Sequence, residues 1–382
     1  MKSYLVGGAV RDQLLGLPVS DRDYVVVGAT PTELKALGYR QVGAEFPVFL
    51  HPHSGEEYAL ARTERKQGHG YHGFSVDFSP EVTLEEDLLR RDLTINAMAE
   101  DEHGHIVDPF HGRDDLQAGI LRHVSPAFRE DPLRILRVAR FAARFCDRGF
   151  HIAAETMALL QQMVASGEID HLVAERVCQE WDKAFRDANP DQFIVVLRKC
   201  GALNALAPEL EELFQQSPDQ PPGDATLPST GDRALAALRQ VGTQTRQPSI
   251  RFATLSGALR EDKLGDLCER LSVPGRWREL ALLVSQYKAR CDSLDWTNKQ
   301  ELLKLLEALD GLRRPQRVED FLLVCEAHAL AQQATGYPPK QLLLSALDIV
   351  RSVSAKPLVE QGLSGIEIKN ELNRLRLEAL SR

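Results

Sequence analysis

An α+β domain followed by an almost wholly helical remainder is the fold predicted for this 382-residue sequence. Three observations carry the prediction. Short β-branched runs and glycine turns crowd the first third of the chain. After Ser125 such runs become rare, and apolar residues recur at helical spacing. A stretch from Gln215 to Gly231, rich in Pro, Gly, Ser, Asp and Gln, interrupts the helices and reads as a solvated linker.

Element by element, Tyr4–Val6 reads as a strand ending at Gly7-Gly8, followed by a short helix from Ala9 to Leu15 that Gly16 stops. Asp23–Val27 is a β-branched strand ended by Gly28. Thr30-Pro31-Thr32-Glu33 opens a helix, with Thr30 as N-cap, Pro31 at the first position and Glu33 at the third. Further strands are expected at Pro47–His51, Glu57–Arg62, His105–Asp108 and Ile120–His123, giving a small mixed or antiparallel sheet. Helical periodicity then marks 131–147, 154–166, 173–187, 190–201, 232–241, 262–271, 276–289, 298–309, 316–334, 339–352 and 366–381.

Composition narrows the class. At 43% hydrophobic and 26% charged the chain is ordinary for a globular protein, and no apolar run approaches the roughly 20 residues of a membrane helix. The N-terminal MKSYLVGGAVRD meets charge too early for a signal-peptide core. Six scattered cysteines form no CxxC pair, so neither a zinc site nor a disulfide scaffold is suggested, and a reduced, cytoplasmic protein is expected. No membrane and no stable protein partner is implied. A net charge of −9 argues against a broadly nucleic-acid-coating surface but leaves room for a local basic groove.

Two aspartates, Asp21 and Asp23, stand two apart at a strand start, where both carboxylates project to one side. That spacing suits two Mg²⁺ ions, one at an attacking hydroxyl and one at a triphosphate. A lone DxD is most often a solvated turn. Here the Gly7-Gly8 turn precedes it, offering backbone amides and a helix N-terminus to a phosphate, with Arg11 one turn along. Glu57 is the candidate third carboxylate, or merely a solvated strand residue.

Six arginines lie between Arg129 and Arg148. Arg134, Arg137, Arg140, Arg144 and Arg148 share one helical face, and a uniformly positive stripe repels itself unless an anion sits opposite. Asp131 and Arg134, three apart, offer an acceptor and a two-pronged donor to the Watson–Crick edge of a base. In Arg90-Arg91-Asp92 the paired arginines suit phosphate and ribose, though such a cluster alone reads as a charged helix start.

The runs GGAVRDQLLGLPVSDRD, RRDLTINAMA, DPFHGRDDL, EDPLRILRVARF and AERV together resemble, in order and spacing, the motifs of class II CCA-adding tRNA nucleotidyltransferases, members of the DNA polymerase β superfamily. The likeness is specific through about residue 185, and RFATL and RRPQRVEDF extend it toward the gammaproteobacterial CCA protein. It implies a polymerase β-like head (1–124), a helical neck that reads the nucleotide (125–214), a helical body with linker (215–275) and a tail that binds tRNA (276–382). It implies that Asp21 and Asp23 hold Mg²⁺, that Gly8 and Arg11 contact the triphosphate, and that Arg91, near Asp92 and Asn96, binds the incoming nucleotide. Asp131 and Arg134 would select CTP and then ATP, with Arg137 and Arg140 assisting. Lys66–Glu86, with His69, Gly70, Tyr71, His72 and Gly73, matches the family's flexible loop. The partners implied are the tRNA acceptor end, CTP and ATP. The rivals are a poly(A) polymerase, a CC-adding or A-adding enzyme, and an RNA-binding protein with an inactive head.

One departure stands out. Many such proteins carry an HD phosphohydrolase domain whose Cys-His-Asp-Leu-Gly-Lys would follow RFATL, where this chain has Ser256-Gly257-Ala258-Leu259-Arg260-Glu261. Residues 172–382 contain one histidine, His328, too few for a multi-histidine metal site. No phosphatase or phosphodiesterase activity is expected; turnover in a metal-dependent phosphatase assay would overturn that expectation.

Overall fold

Strand β1 (Lys2–Val6) leads through a turn at Gly7 into helix α1 (Gly8–Leu14) and back along β2 (Asp23–Val27), antiparallel to β1 with Val6 opposite Asp23. Helix α2 (Pro31–Ala36) has the expected capping box: the Thr30 hydroxyl accepts from Glu33 N–H, and the Glu33 carboxylate accepts from Thr30 N–H at 2.7 Å. Then follow β3 (Arg40–Val42), β4 (Val48–Leu50), β5 (Glu57–Leu60), β6 (Thr63–Lys66), β7 (Phe74–Asp77), α3 (Leu84–Leu89), β8 (Ala99–Glu100), β9 (Ile106–Val107), α4 (Gly112–Ala118) and β10 (Ile120–Leu121). The computed structural model describes residues 1–19, 21–42, 48–66, 74–215 and 228–381. Positions 67–73 of the expected flexible loop and 216–227 of the expected linker lie outside them.

The main sheet is mixed, in the order β3-β4-β5-β2-β1-β8-β9, and β2 and β5 are its one parallel pair among the described residues. Alternation along β2 sends successive valines to opposite faces. Val25 packs with Val6, Ala61, Leu88 and Ala99, whereas Val26 packs with Leu34, Phe49 and Leu60. Strands β6 and β7 form a separate hairpin-like pair. The short strands β3, β6, β7 and β8 and the helices α3 and α4 were absent from the sequence expectation, being two to seven residues long with too few positions to display a period.

Helices α5 (Leu133–Phe145) and α6 (Ala154–Ala165), with β11 (His151–Ile152) pairing parallel to β10, belong to the same compact unit as the sheet. That unit comprises Met1–Trp181 and Val195–Leu206. The chain continues through α7 (Ala174–Arg186), α8 (Pro190–Lys199), α9 (Ala202–Leu206) and α10 (Pro208–Glu212).

The second unit, Asp182–Ile194 and Ala207–Arg382, is helical throughout its described residues. It contains α11 (Thr230–Gln244), α12 (Pro248–Ser256), α13 (Glu261–Arg270), α14 (Gly275–Asp292), α15 (Lys299–Ala308), α16 (Pro315–Ala331), α17 (Pro338–Ser352), α18 (Lys356–Glu360) and α19 (Gly365–Leu380). Helix α12 escaped the periodicity reading because every one of its residues is buried; a helix covered on all sides has no polar face to set a period. At its centre the fully buried Arg251 donates to four backbone carbonyls, of Phe185, Asp187, Gly242 and Thr245, at 2.5–2.8 Å. Burial pushes its guanidinium down to about 10.

Position 257, where the HD signature has its histidine, is closed: a Cβ on Gly257 would stand 2.4 Å from Val284 Cγ1. His328, the one histidine of this unit, is a satisfied core residue. Its Nε2 lies 3.0 Å from the Thr254 carbonyl, to which it donates, and burial, helped by Lys288, pushes the imidazole down to about 4. The folded state therefore rejects a proton that the unfolded chain accepts near pH 6.5. Stability from this group is complete above pH 6.5 and is lost as pH falls toward 4, by about 3 kcal/mol at 1.36 kcal/mol per pH unit. Urea unfolding at pH 7 and pH 5 should show the decline, and His328→Gln should flatten it.

Candidate active site

The end of β2 is where the chemistry collects. Asp23 is the first residue of the strand and Asp21 lies two residues ahead of it, both exposed. In the parallel pair, Asp23 and Glu57 are register partners, so the candidate third carboxylate stands on the neighbouring strand at the same level. Burial raises the Asp23 carboxyl, Asp21 adds like charge in the same direction, and Arg91 opposes both. A carboxyl raised in this way, with a second carboxylate two residues away, marks a place that a cation would neutralise.

Among the described residues no three acidic, histidine or cysteine side chains are gathered closely enough to hold a metal alone. Mg²⁺ often takes only one or two protein carboxylates and completes its shell with water and substrate phosphate oxygens. The donor set here, all hard oxygen, fits that pattern.

Facing the acids is the turn at Gly7, whose φ of 66° lies in the left-handed region that glycine favours. A second constraint also fixes it: a Cβ there would stand 2.8 Å from Arg91 Nη1. Arg91 thus lies against the turn that opens α1. Its Nη2 donates to Asp87 at 3.2 Å, while its Nε–H is buried with no acceptor among the described residues. The paired arginines lie not at a helix start but just past the C-terminal end of α3, where cations suit the helix dipole.

Arg11, by contrast, is 3% exposed and committed. It donates to Asp12 and Asn96, packs over the rings of Phe141 and Phe145 at 5.1 and 5.2 Å, and is lowered by burial and by Arg144. Gly8 lies directly beneath its guanidinium.

The arginine stripe finds its anions inside the protein. Arg137 holds the buried Asp92 at 2.7–2.8 Å, Arg140 holds Glu180 at 2.7 Å, and Arg144 holds Asp12 at 2.8 Å. Burial alone would raise the Asp92 carboxyl; Arg137, Asn96 Nδ2 and the Leu93 N–H together hold it far below the usual carboxylate range. The result is a continuous chain, Arg137–Asp92–Asn96–Arg11–Asp12–Arg144, tying α5 to α1 and to the 92–96 turn. Sequence spacing showed the cations; the carboxylates, 40 to 132 positions away, could not be paired with them without the fold.

Asp131 caps the start of α5 through Leu133 N–H and accepts from Arg176 at 3.3 Å. Arg134, half-buried, donates to the Ala127 and Arg90 carbonyls and lies over Phe128. The Arg90 carbonyl it meets belongs to the residue just before Arg91.

Known proteins resemble this chain along its whole length. Residues 3–122 match the family described as Poly A polymerase head domain, and residues 149–214 match the probable RNA and SrmB-binding site of polymerase A. The multifunctional CCA proteins of Thioalkalivibrio sulfidiphilus and Pseudomonas aeruginosa are 50% and 49% identical, the alignments covering 100% of this chain and 98% of each relative. A solved tRNA-processing enzyme in its apo form shares 25% identity at a TM-score of 0.68, over 100% of this chain and 93% of that one. The fold is also that of the Thermotoga maritima CCA-adding enzyme complexed with tRNA, at 22% identity, a TM-score of 0.66, and coverage of 99% and 87%. CCA-adding enzymes generally need a divalent metal. With carboxylates, glycine turn and arginine helix assembled in one unit, and relatives matched end to end, the chain belongs to the CCA-adding tRNA nucleotidyltransferases.

Proposed function

We propose that this protein adds C, C and A in turn to the 3′ end of tRNA, taking CMP and AMP from CTP and ATP without a template, and that it repairs incomplete CCA ends. The observation that carries the reading is the meeting of Asp23, its register partner Glu57 and Arg91 beside the Gly7 turn. In the reaction the RNA 3′ hydroxyl attacks the α-phosphate in line and pyrophosphate leaves. Asp21 and Asp23 would hold Mg²⁺, with Glu57 as a further acceptor on β5; bound there, the ion would neutralise charge developing on the phosphate oxygens.

Arg91 meets the triphosphate, together with the backbone at Gly8. Arg11 acts on the nucleotide indirectly: its donors are occupied, and it fixes Asn96 and α5 against α1. Arg137 and Arg140 similarly hold the reading helix in place through Asp92 and Glu180. Asp131 and Arg134 read the base by exchanging present contacts for it, Asp131 that with Arg176 and Arg134 those with the Ala127 and Arg90 carbonyls. Head, neck, body and tail with limits at 124, 214 and 275 remain the proposed division of labour, and free thiols at all six cysteines suit the cytoplasm, where tRNA and both nucleotides are found.

The deciding experiment offers tRNA lacking its CCA end, with CTP and ATP separately and together. Two cytidines from CTP alone and a completed CCA from the mixture are expected. Oligo(A) addition would favour the poly(A) polymerase, and addition of C or A alone a partial enzyme. Replacing Arg134 or Asp131 by alanine should raise misincorporation about tenfold or more, the 1–3 kcal/mol of a bidentate base contact, while metal dependence is unchanged. Unchanged fidelity in both variants would remove them from base selection.

A further inference from the structure

The second unit carries a cationic cleft that the reaction chemistry does not use. It has a volume of about 340 Å³ and is lined by Arg186, Arg246, Gln247, Pro248, Ser249 and Arg276, with no acidic residue among them. Arg186 is held by Asp182 at 2.7 and 3.0 Å. Arg246 and Arg276 are exposed, and among the described residues neither has a carboxylate partner. In a chain of net charge −9, two such arginines beside a third concentrate positive potential. The field reaches inward, since Arg246 adds to the lowering of the buried Arg251.

The cleft opens on the start of α12, a nine-residue helix. Its N-cap, Gln247, makes no side-chain cap bond, and Pro248 at the first position has no N–H, so the amides of the first turn lack a side-chain acceptor. Ser249 supplies a separate indication. It is 8% exposed, it lines the cleft, and its hydroxyl has no hydrogen-bond partner among the described residues. A hydroxyl left without a protein partner at the wall of a cleft is available to something bound there. Arginine forks, first-turn amides and a hydroxyl donor, with no acid in the lining and Asp182 engaged only with Arg186, form a receptor for a tetrahedral oxyanion.

We infer that this cleft binds a phosphate of the RNA substrate, a backbone contact in the second unit that anchors tRNA without reading its sequence. The inference rests on the proposed tRNA substrate for the identity of the ligand, and on the cleft alone for its chemistry. The test measures binding of a tRNA transcript lacking CCA at several salt concentrations. Arg246→Gln/Arg276→Gln should weaken binding about tenfold and make the slope of log K against log salt shallower by about one for each phosphate no longer neutralised. KM for tRNA should rise with kcat at saturation retained. Ser249→Ala should weaken binding several-fold with the salt slope unchanged. Lys35→Gln/Arg40→Gln, which removes two exposed cations from α2 and β3, is the charge-matched control and should bind as the wild type does.

Equal binding by the cleft variant and the control overturns the inference. So does protection of the wild type against heat by inorganic phosphate, absent in the cleft variant, with tRNA binding unchanged; that result makes the cleft a site for free phosphate. Failure of the wild type to extend tRNA with CTP and ATP is a different result and removes the proposed activity, whereas the salt slopes are read without turnover.

Discussion

Asp23→Asn is expected to lower the rate of CMP transfer at least about a thousandfold, the several kcal/mol that a carboxylate-held cation contributes at a developing phosphate charge. The change is nearly isosteric and keeps β2 paired to β1 and β5, so circular dichroism and the thermal midpoint should be unchanged. Removing this charge costs the apoprotein no stability, because burial and Asp21 both disfavour the ionised Asp23. Loss of activity with retained or improved stability separates a catalytic acid from a structural one. Near-normal transfer by Asp23→Asn would dismiss the site. Glu57→Gln discriminates further: a metal-holding Glu57 raises the cation concentration needed for half-maximal rate, and a solvated strand residue leaves it unaltered.

The second large effect is on stability. Asp92→Ala should cost the first unit about 3 kcal/mol or more, because breaking a buried ion pair from one side leaves Arg137 facing unoccupied space and removes the acceptor of Asn96 and Leu93. The folded-state carboxyl is depressed, so its contribution is fully present above the unfolded pKa near 4 and is lost as pH falls below that value toward the folded one. Urea titrations of wild type and variant should therefore differ most at neutral pH and converge in strong acid. A constant difference down to pH 2 would show that packing rather than the ion pair carries the effect. Since Asn96 also receives Arg11, the variant should raise KM for CTP as well.

The legibility of this chain divides along physical lines. Elements with a sharp local signal were readable: the Thr30 capping box, the β-branched run of β2, and the amphipathic helices of the second unit. Those without one were missed, among them the wholly buried α12 and the two-residue strand β8. The residues of the candidate site were visible as motifs, yet their partners were not. Nothing local to Arg137 or Arg140 says that Asp92 and Glu180 meet them, so the stripe looked like an open anion-binding face when most of it is internally neutralised. Arg91 against Gly7 and Asp23 opposite Glu57 likewise depend on register, which only the assembled sheet fixes.

Arg251 has a consequence for the order in which the protein can be made. Its four carbonyl acceptors come from the end of α7 and from the end of α11 and the residues just after it, and they stay unsatisfied by it until residue 251 has left the ribosome. The carbonyls of Phe185 and Asp187 precede it by more than sixty positions. A nascent chain halted before α12 can complete its sheet and the arginine helix but not the junction at 185–187. The second unit should therefore appear late and all at once during synthesis, with protease resistance of the 182–194 segment arising only after RFATL emerges.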